Sequence, residues 1–247
     1  MTHPLDSTYL KVERAQEHLK ALDGEVEAFL DSNPFHMFRE RNPRNGHYIF
    51  SGHWSKQPSG RLGLLLGDWA NNLRSSLDHL SWQLALLSTD EPSTDCTFPI
   101  FERLNIGRFN QRVRLWPEQA RLIAETLQPY KGNERAKQHF LWVLNHLANT
   151  DKHSAIRIVP ARVLIPGLRP GKLMVIKNTF EDDLEIHVPV QGATEPELNP
   201  VINVEIAMPA VAPGATLPFA VLADMQRRVR DEVIAAFAQF FAERHGN

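Results

Sequence analysis

Cysteine is nearly missing from this chain: 247 residues contain one, Cys96. A single thiol forms no internal disulfide and builds no cysteine-based zinc ribbon or iron–sulfur cluster. Charge of one sign is lacking too. The 27 Lys and Arg against 29 Asp and Glu leave a formal net charge of −2, which argues against bulk coating of nucleic acid but leaves room for a local basic patch. No apolar run reaches the length of a membrane span, and residues 1–10 have neither the basic start nor the apolar stretch of a secretory signal. The expectation is a soluble, cytoplasmic protein with no membrane partner. Phosphate-cradling loops are missing as well, since Gly60, Gly63 and Gly67 are spread through a Leu-rich segment. There is no Gly-x-Ser-x-Gly elbow and no His-Glu-x-x-His or Glu-x-x-His motif.

What is present is an ordinary globular mix. Hydrophobic residues make up 43% and charged residues 23%, so disorder is excluded as the main state, and the length supports a core without staples. Histidine is the exception. The 11 His are roughly twice ordinary usage and bring many groups able to bind metals or move protons near neutral pH.

The hydrophobic spacing predicts a first helix from Asp6 or Ser7 to about Leu30, with Val12, Ala15, Leu19, Leu22, Val26 and Phe29 in steps of three and four. Asn33-Pro34 ends it. Phe35–Arg41 and His47–His53 read as two strands joined around Pro43-Arg44-Asn45-Gly46, where Asn-Gly is a strong hairpin signal. A second helix spans about Arg61–Leu87 on a stripe from Leu66 to Leu87. The stretch 104–115 reads as a short helix at most. Pro117 starts a helix to about Leu127, and another covers Glu134–His153. Ile156–Leu164, Lys172–Lys177, Leu184–Val190 and Val201–Met208 look like strands, and Leu217–His245 like a closing amphipathic helix. The fold class expected is α+β, mainly a bundle of four or five helices with an N-terminal β-hairpin and a small inserted antiparallel sheet. A single domain is expected over 1–247, with the bundle in 1–154 and 215–247 and the β insertion at about 155–210.

Two helices carry polar clusters beside their apolar stripes. On the second, Asp68, Asn72, Ser75 and His79 fall within about 60° of one another, while Asn71, Arg74 and Asp78 lie on the opposite flank. Asn and Ser are mediocre helix formers, so their concentration here calls for compensating contacts. On the fourth, His139, His146 and His153 recur every seven residues, with Asn149 on the same flank as Trp142. The expectation is one polar pocket lined by Asp68, Asn72, Ser75, Arg74, Asp78, His79, His146, Asn149 and His153. Asp68, Asp78, His79, His146, Asp151 and His153 are the right types for a metal, but His residues seven apart are about 10 Å apart along a helix. No metal and no cofactor are therefore expected. Arg103, Arg108, Arg112 and Arg114, interleaved with Phe109 and Trp116, offer a track for a phosphate backbone; a solvated face is the plainer reading.

Arg74, four intervening residues and His79, in a helical setting, resemble the Arg-x4–6-His motif of the HEPN (higher eukaryotes and prokaryotes nucleotide-binding) superfamily. The wider pattern Gly-Asp-x-x-x-Asn-Leu-Arg-Ser-x-Leu-Asp-His-Leu with a later Asp-Lys-His also resembles a group of uncharacterised bacterial and phage-associated proteins. The HEPN resemblance implies a metal-independent endoribonuclease of the toxin or phage-defence type, with RNA as partner and a site completed across a homodimer. It implies Arg74 and His79 as the catalytic pair; on chemical grounds Asp78, Asn72 or Ser75 would orient the imidazole. Two departures stand against it: Ser75 follows the Arg where Asn is usual, and Arg74 and His79 point about 140° apart on a straight helix. The alternative is a non-enzymatic helical scaffold or small-ligand-binding protein whose polar residues bond helix to helix.

Overall fold

A computed structural model describes residues 3–93, 95–132, 135–160, 184–188 and 202–245. They fall into two compact units, one of residues 1–22, 63–156 and 220–247, the other of residues 23–62 and 157–219. The fold is α+β with a helical majority and two small antiparallel sheets.

Helix α1 (Asp6–Asp31) buries Thr8, Val12, Ala15, Leu19, Leu22 and Val26, the alternating step of three and four that its sequence sets. Asn33, at φ 49°, turns the chain out of the helix just before Pro34. Helix α2 (Arg61–Ala85) buries Leu62, Leu66, Trp69, Ala70, Leu73, Leu77, Leu80 and Leu84 along one side. The ambiguous stretch after residue 104 is a helix, α3 (Ile106–Val113), whose N-cap Asn105 accepts from the Arg108 N–H at 3.0 Å. Helix α4 (Glu118–Thr126) has Pro117 at its N-cap, one position before the place expected for it.

Helix α5 (Phe140–His153) begins six residues later than its periodicity suggests. A single 3-10 turn occupies Ala136–Gln138, and His139, extended at φ −67° and ψ 132°, caps α5 by accepting from the Leu141 N–H through Nδ1 at 3.3 Å. The closing helix also starts late, because Thr216–Pro218 is a strand. It opens as α6 (Val221–Arg228), passes through a π-helical stretch at Val229–Ile234, and returns to α7 (Ala235–Ala238) before a 3-10 end at Gln239–His245. The π stretch turns less per residue than an α-helix. Its consequence is visible in the core: Val229, Val233, Phe237 and Phe241 are buried at steps of four, and Phe241 holds the inward place that the α period assigns to Phe240. Phe98, Trp116 and Phe237 pack as a triangle of rings 5.8 to 6.2 Å apart.

In the second unit, β1 (Phe35–Arg41) and β2 (Tyr48–Trp54) form the expected hairpin. Within the connecting loop Gly46 takes positive φ, at 71°. Its N–H and that of Arg44 bond Asn42, and the His47 N–H bonds the Asn45 side chain. The connection is therefore a four-residue loop over the expected residues Pro43-Arg44-Asn45-Gly46. Phe35, Phe50 and Trp54 bury one face of this hairpin, and a Cβ on Gly52 would overlap the Phe35 ring. Strands β3 (Ile158–Pro160), β5 (Val204–Ala207) and β6 (Thr216–Pro218) make one sheet in the order β3-β5-β6. Strand β4 (Leu184–Val188) does not join it. It pairs antiparallel with β2, Tyr48 opposite Val188, giving the order β1-β2-β4. The strand expected at Lys172–Lys177, and the outer parts of those expected at 156–164, 184–190 and 201–208, lie outside the described residues.

Candidate functional site

The polar residues of α2 separate into two stripes. Gly63, Gly67, Asn71, Arg74 and Asp78 fall within about 80° at 100° per residue, and Asp68, Asn72, Ser75 and His79 within about 60° on another side. The first stripe meets α5. Asn71 donates through Nδ2 to Oδ2 of Asp151 at 2.7 Å, and Arg74 donates through Nε to Oδ1 of Asn145 at 3.2 Å. Both glycines have a packing reason: a Cβ on Gly67 would overlap the Asp151 carboxylate, and one on Gly63 would stand 2.9 Å from the Ile156 carbonyl oxygen. Small residues here let the end of α5 and the chain beyond it close onto α2.

Arg74 is the centre of that seam. Besides Asn145, it donates through Nη1 to Oδ1 of Asp78 at 2.5 Å and through Nη2 to the Phe98 carbonyl at 2.9 Å. Oδ1 of Asp78 in turn accepts from the Phe98 N–H at 2.9 Å. The pair thus grips both polar backbone groups of Phe98, holding that ring in its aromatic triangle. The Arg74 side chain is 13% exposed and that of Asp78 34%. A planar fork with donors committed in three directions is a fixed structural element.

The second stripe faces α1. Nζ of Lys11 is 3.5 Å from Oδ1 of Asn72, and Nδ1 of His18 is 3.8 Å from Oδ2 of Asp68. Ser75 is partly buried on this flank, and so is His79. Burial lowers the His79 imidazole below its ordinary value, the Lys11 ammonium lowers it further, and Asp78 opposes both. His79 is therefore a neutral base at pH 7, with Lys11 as its nearby cation.

Of the α5 residues expected in the pocket, none is on the side of Asp151: His146, Asn149 and His153 stand about 140° to 160° around the helix from it. His146 stacks on Trp142, with ring centres 5.0 Å apart and planes 12° apart, and burial followed by the Lys137 charge lowers its imidazole. Trp142 donates to Glu102 at 3.2 Å. Asn149 and His153 are exposed. The structure thus joins Arg74 with Asp78, puts Asp68 and Asn72 beside α1, and sets His146 against Trp142. Among the described residues, no three His, Cys, Asp or Glu side chains are grouped to hold a metal ion.

The arginines near α3 also have local work. Arg112 donates to the Asp95 carbonyl and the Thr97 hydroxyl, and Arg121 to the Trp116 and Arg114 carbonyls. Phe109 and Trp116 are buried, which removes them as platforms for bases.

Sequence reasoning missed Asn145 as the partner of Arg74, and Gln226, which accepts from Trp69 at 3.0 Å and donates to Gln16 at 2.7 Å. Two signals were available for the α5 contact. Asp151 puts a carboxylate in the last turn of a helix, where the dipole disfavours it, and Gly63 and Gly67 are four apart inside a helix, the spacing of one close-packed face. Comparison of the chain with protein-family models, curated proteins and solved structures finds no match. Among the described residues no helix is long and apolar enough to cross a membrane.

Proposed function

We propose that this chain is a non-enzymatic helical module in which α2 is the hub and its polar residues bond neighbouring segments together. The observation that supports this reading is that three of the five Arg74 N–H donors go to Asn145, Asp78 and the Phe98 carbonyl. A guanidinium so tied is held in the seam toward α5, and its 140° divergence from His79 leaves the two without a shared target. The test incubates purified protein with total RNA in EDTA, beside Arg74→Ala and His79→Ala variants shown to be folded. The expected result is intact RNA in all three tubes and a lowered melting temperature for Arg74→Ala. Cleavage by the wild type that both variants lose would sink the proposal.

One observation keeps the endoribonuclease as a second reading: a neutral, half-buried His79 beside Lys11. A neutral imidazole can take the proton of a 2′-hydroxyl, and an ammonium can stabilise the phosphorane-like transition state. In that reading Lys11 replaces Arg74 as the cation, and a homodimer completes the site. Lys11→Ala and His79→Ala would then each slow cleavage by about 10²-fold or more, while Arg74→Ala would act through stability alone. Sedimentation as a monomer at micromolar concentration would remove the dimeric form of this mechanism.

A further inference from the structure

The outer face of the β1–β2 hairpin carries chemistry that the helices do not use. His36 and His53 are directly opposed in the antiparallel register. Their ring centres are 5.7 Å apart and their planes are inclined by 51°. Phe38, two residues along β1 and therefore on the same face, lies parallel to His53 at 5.4 Å and 7°. Phe38 is 56% exposed and His36 is also exposed, so solvent reaches this face. The hydrophobic side of the same hairpin is Phe35, Phe50 and Trp54; the two histidines are not needed to build a core.

A cation held by two imidazoles imposes a definite spacing. With metal–nitrogen bonds of about 2.1 Å, each ring centre is about 3.2 Å from the ion, and a near-tetrahedral angle puts the two centres about 5.2 Å apart. The observed pair is within about half an ångström of that value. The stack on Phe38 holds His53 in place. Such a ring support acts as an orienting neighbour does around an ordinary metal ligand.

We propose that His36 and His53 form a binding site for one borderline divalent transition-metal cation, with solvent in the remaining positions, which cross-links β1 to β2. Imidazole nitrogen selects copper(II), nickel(II) and zinc(II) over magnesium and calcium, which prefer oxygen. Copper(II) stands highest of the three in the general stability order of divalent ions, and its tetragonal right angle draws the two ring centres to about 4.5 Å, closer than zinc(II) does. The site is independent of both functional readings above.

The test titrates copper(II) and zinc(II) chlorides separately into full-length, tag-free protein freed of metal by chelation, with magnesium chloride as control. Binding is followed by calorimetry, and the one-to-one copper complex by electron paramagnetic resonance. Wild type is expected to bind one copper(II) with coupling to two nitrogens, zinc(II) more weakly and magnesium not at all. His36→Gln and His53→Gln each lose about tenfold or more in affinity and show one coupled nitrogen, and the double variant loses the site. His146→Gln, on α5, leaves binding unchanged. The melting temperature rises with copper in the wild type and not in the double variant. The proposal is overturned by wild type that takes up no copper or zinc, or by unchanged affinity in the folded double variant. Equal loss in His146→Gln would also overturn it, because the ion would then be elsewhere.

Discussion

Gly67 is covered by the Asp151 carboxylate, and Asp151 is held there by Asn71. Gly67→Ala gains helix propensity of up to about 1 kcal/mol, yet the new methyl has no room unless the Asp151 carboxylate swings away and gives up its bond from Asn71. The lost bond outweighs the propensity, and the expected net loss is about 0.5–2 kcal/mol in urea unfolding. The double variant Gly67→Ala/Asp151→Ala is expected to lose less than the sum of its singles, since removing the carboxylate makes the space; strict additivity would refute the contact. Arg74→Ala leaves Asp78, the Asn145 amide oxygen and the Phe98 carbonyl with a missing donor in a half-buried setting. The expected loss is about 2–4 kcal/mol. Arg74→Lys keeps the charge but cannot reach three acceptors with one ammonium, so it is expected to recover less than half of that loss. Full recovery by Lys would show that charge, not the fork, is what the seam uses.

Each helix that the apolar period predicts is present, and the departures have local causes. The stripes of α1 and α2 are long enough for their period to dominate, and hairpin strand β1 runs over the residues expected. Helix α5 was overextended because 135–139 are compatible with helix by propensity, while the cap belongs to His139 through a side-chain bond that no periodicity reports. The pocket was harder to read. A helical wheel separates the two flanks of α2 but does not say which neighbour each will meet, and the α5 residues that meet it, Asn145 and Asp151, were outside the expected set. The π stretch at Val229–Ile234 was illegible for a similar reason, since one extra residue per turn leaves no mark on composition. It makes a sharp prediction about side chains. Phe241→Ala, which empties a 1%-exposed site, is expected to cost about 3–5 kcal/mol, and Phe240→Ala much less. A larger loss for Phe240→Ala by chemical denaturation would mean that the helix end is α-helical in phase.

Among the described residues, three imidazoles are held below their ordinary value: His79, His146 and, most strongly, the buried His139 at about 4, lowered by burial first and by the Arg228 charge second. The unfolded chain protonates these groups near pH 6.5, so between about 6.5 and 4 it binds more protons than the folded chain. Stability is therefore complete above that window and is lost as pH falls through it, His139 contributing at most about 3 kcal/mol. His139→Ser keeps a capping side chain while removing the titration. Its unfolding free energy is expected to approach that of the wild type as pH falls from 7 to 4, and a gap between the two that stays constant would refute the assignment. The order β1-β2-β4 has a consequence in time rather than energy. The residue opposite Tyr48 is Val188, 140 positions later (188 − 48). A ribosome adding about 5–20 residues per second needs roughly 7–28 s to supply it. For that interval the nascent hairpin offers the bare hydrogen-bonding edge of Tyr48, Ile49 and Phe50 to any neighbouring chain. Newly made molecules on crowded polysomes are thus open to mispairing at β2, a hazard that ends only when the strand that closes it has been translated.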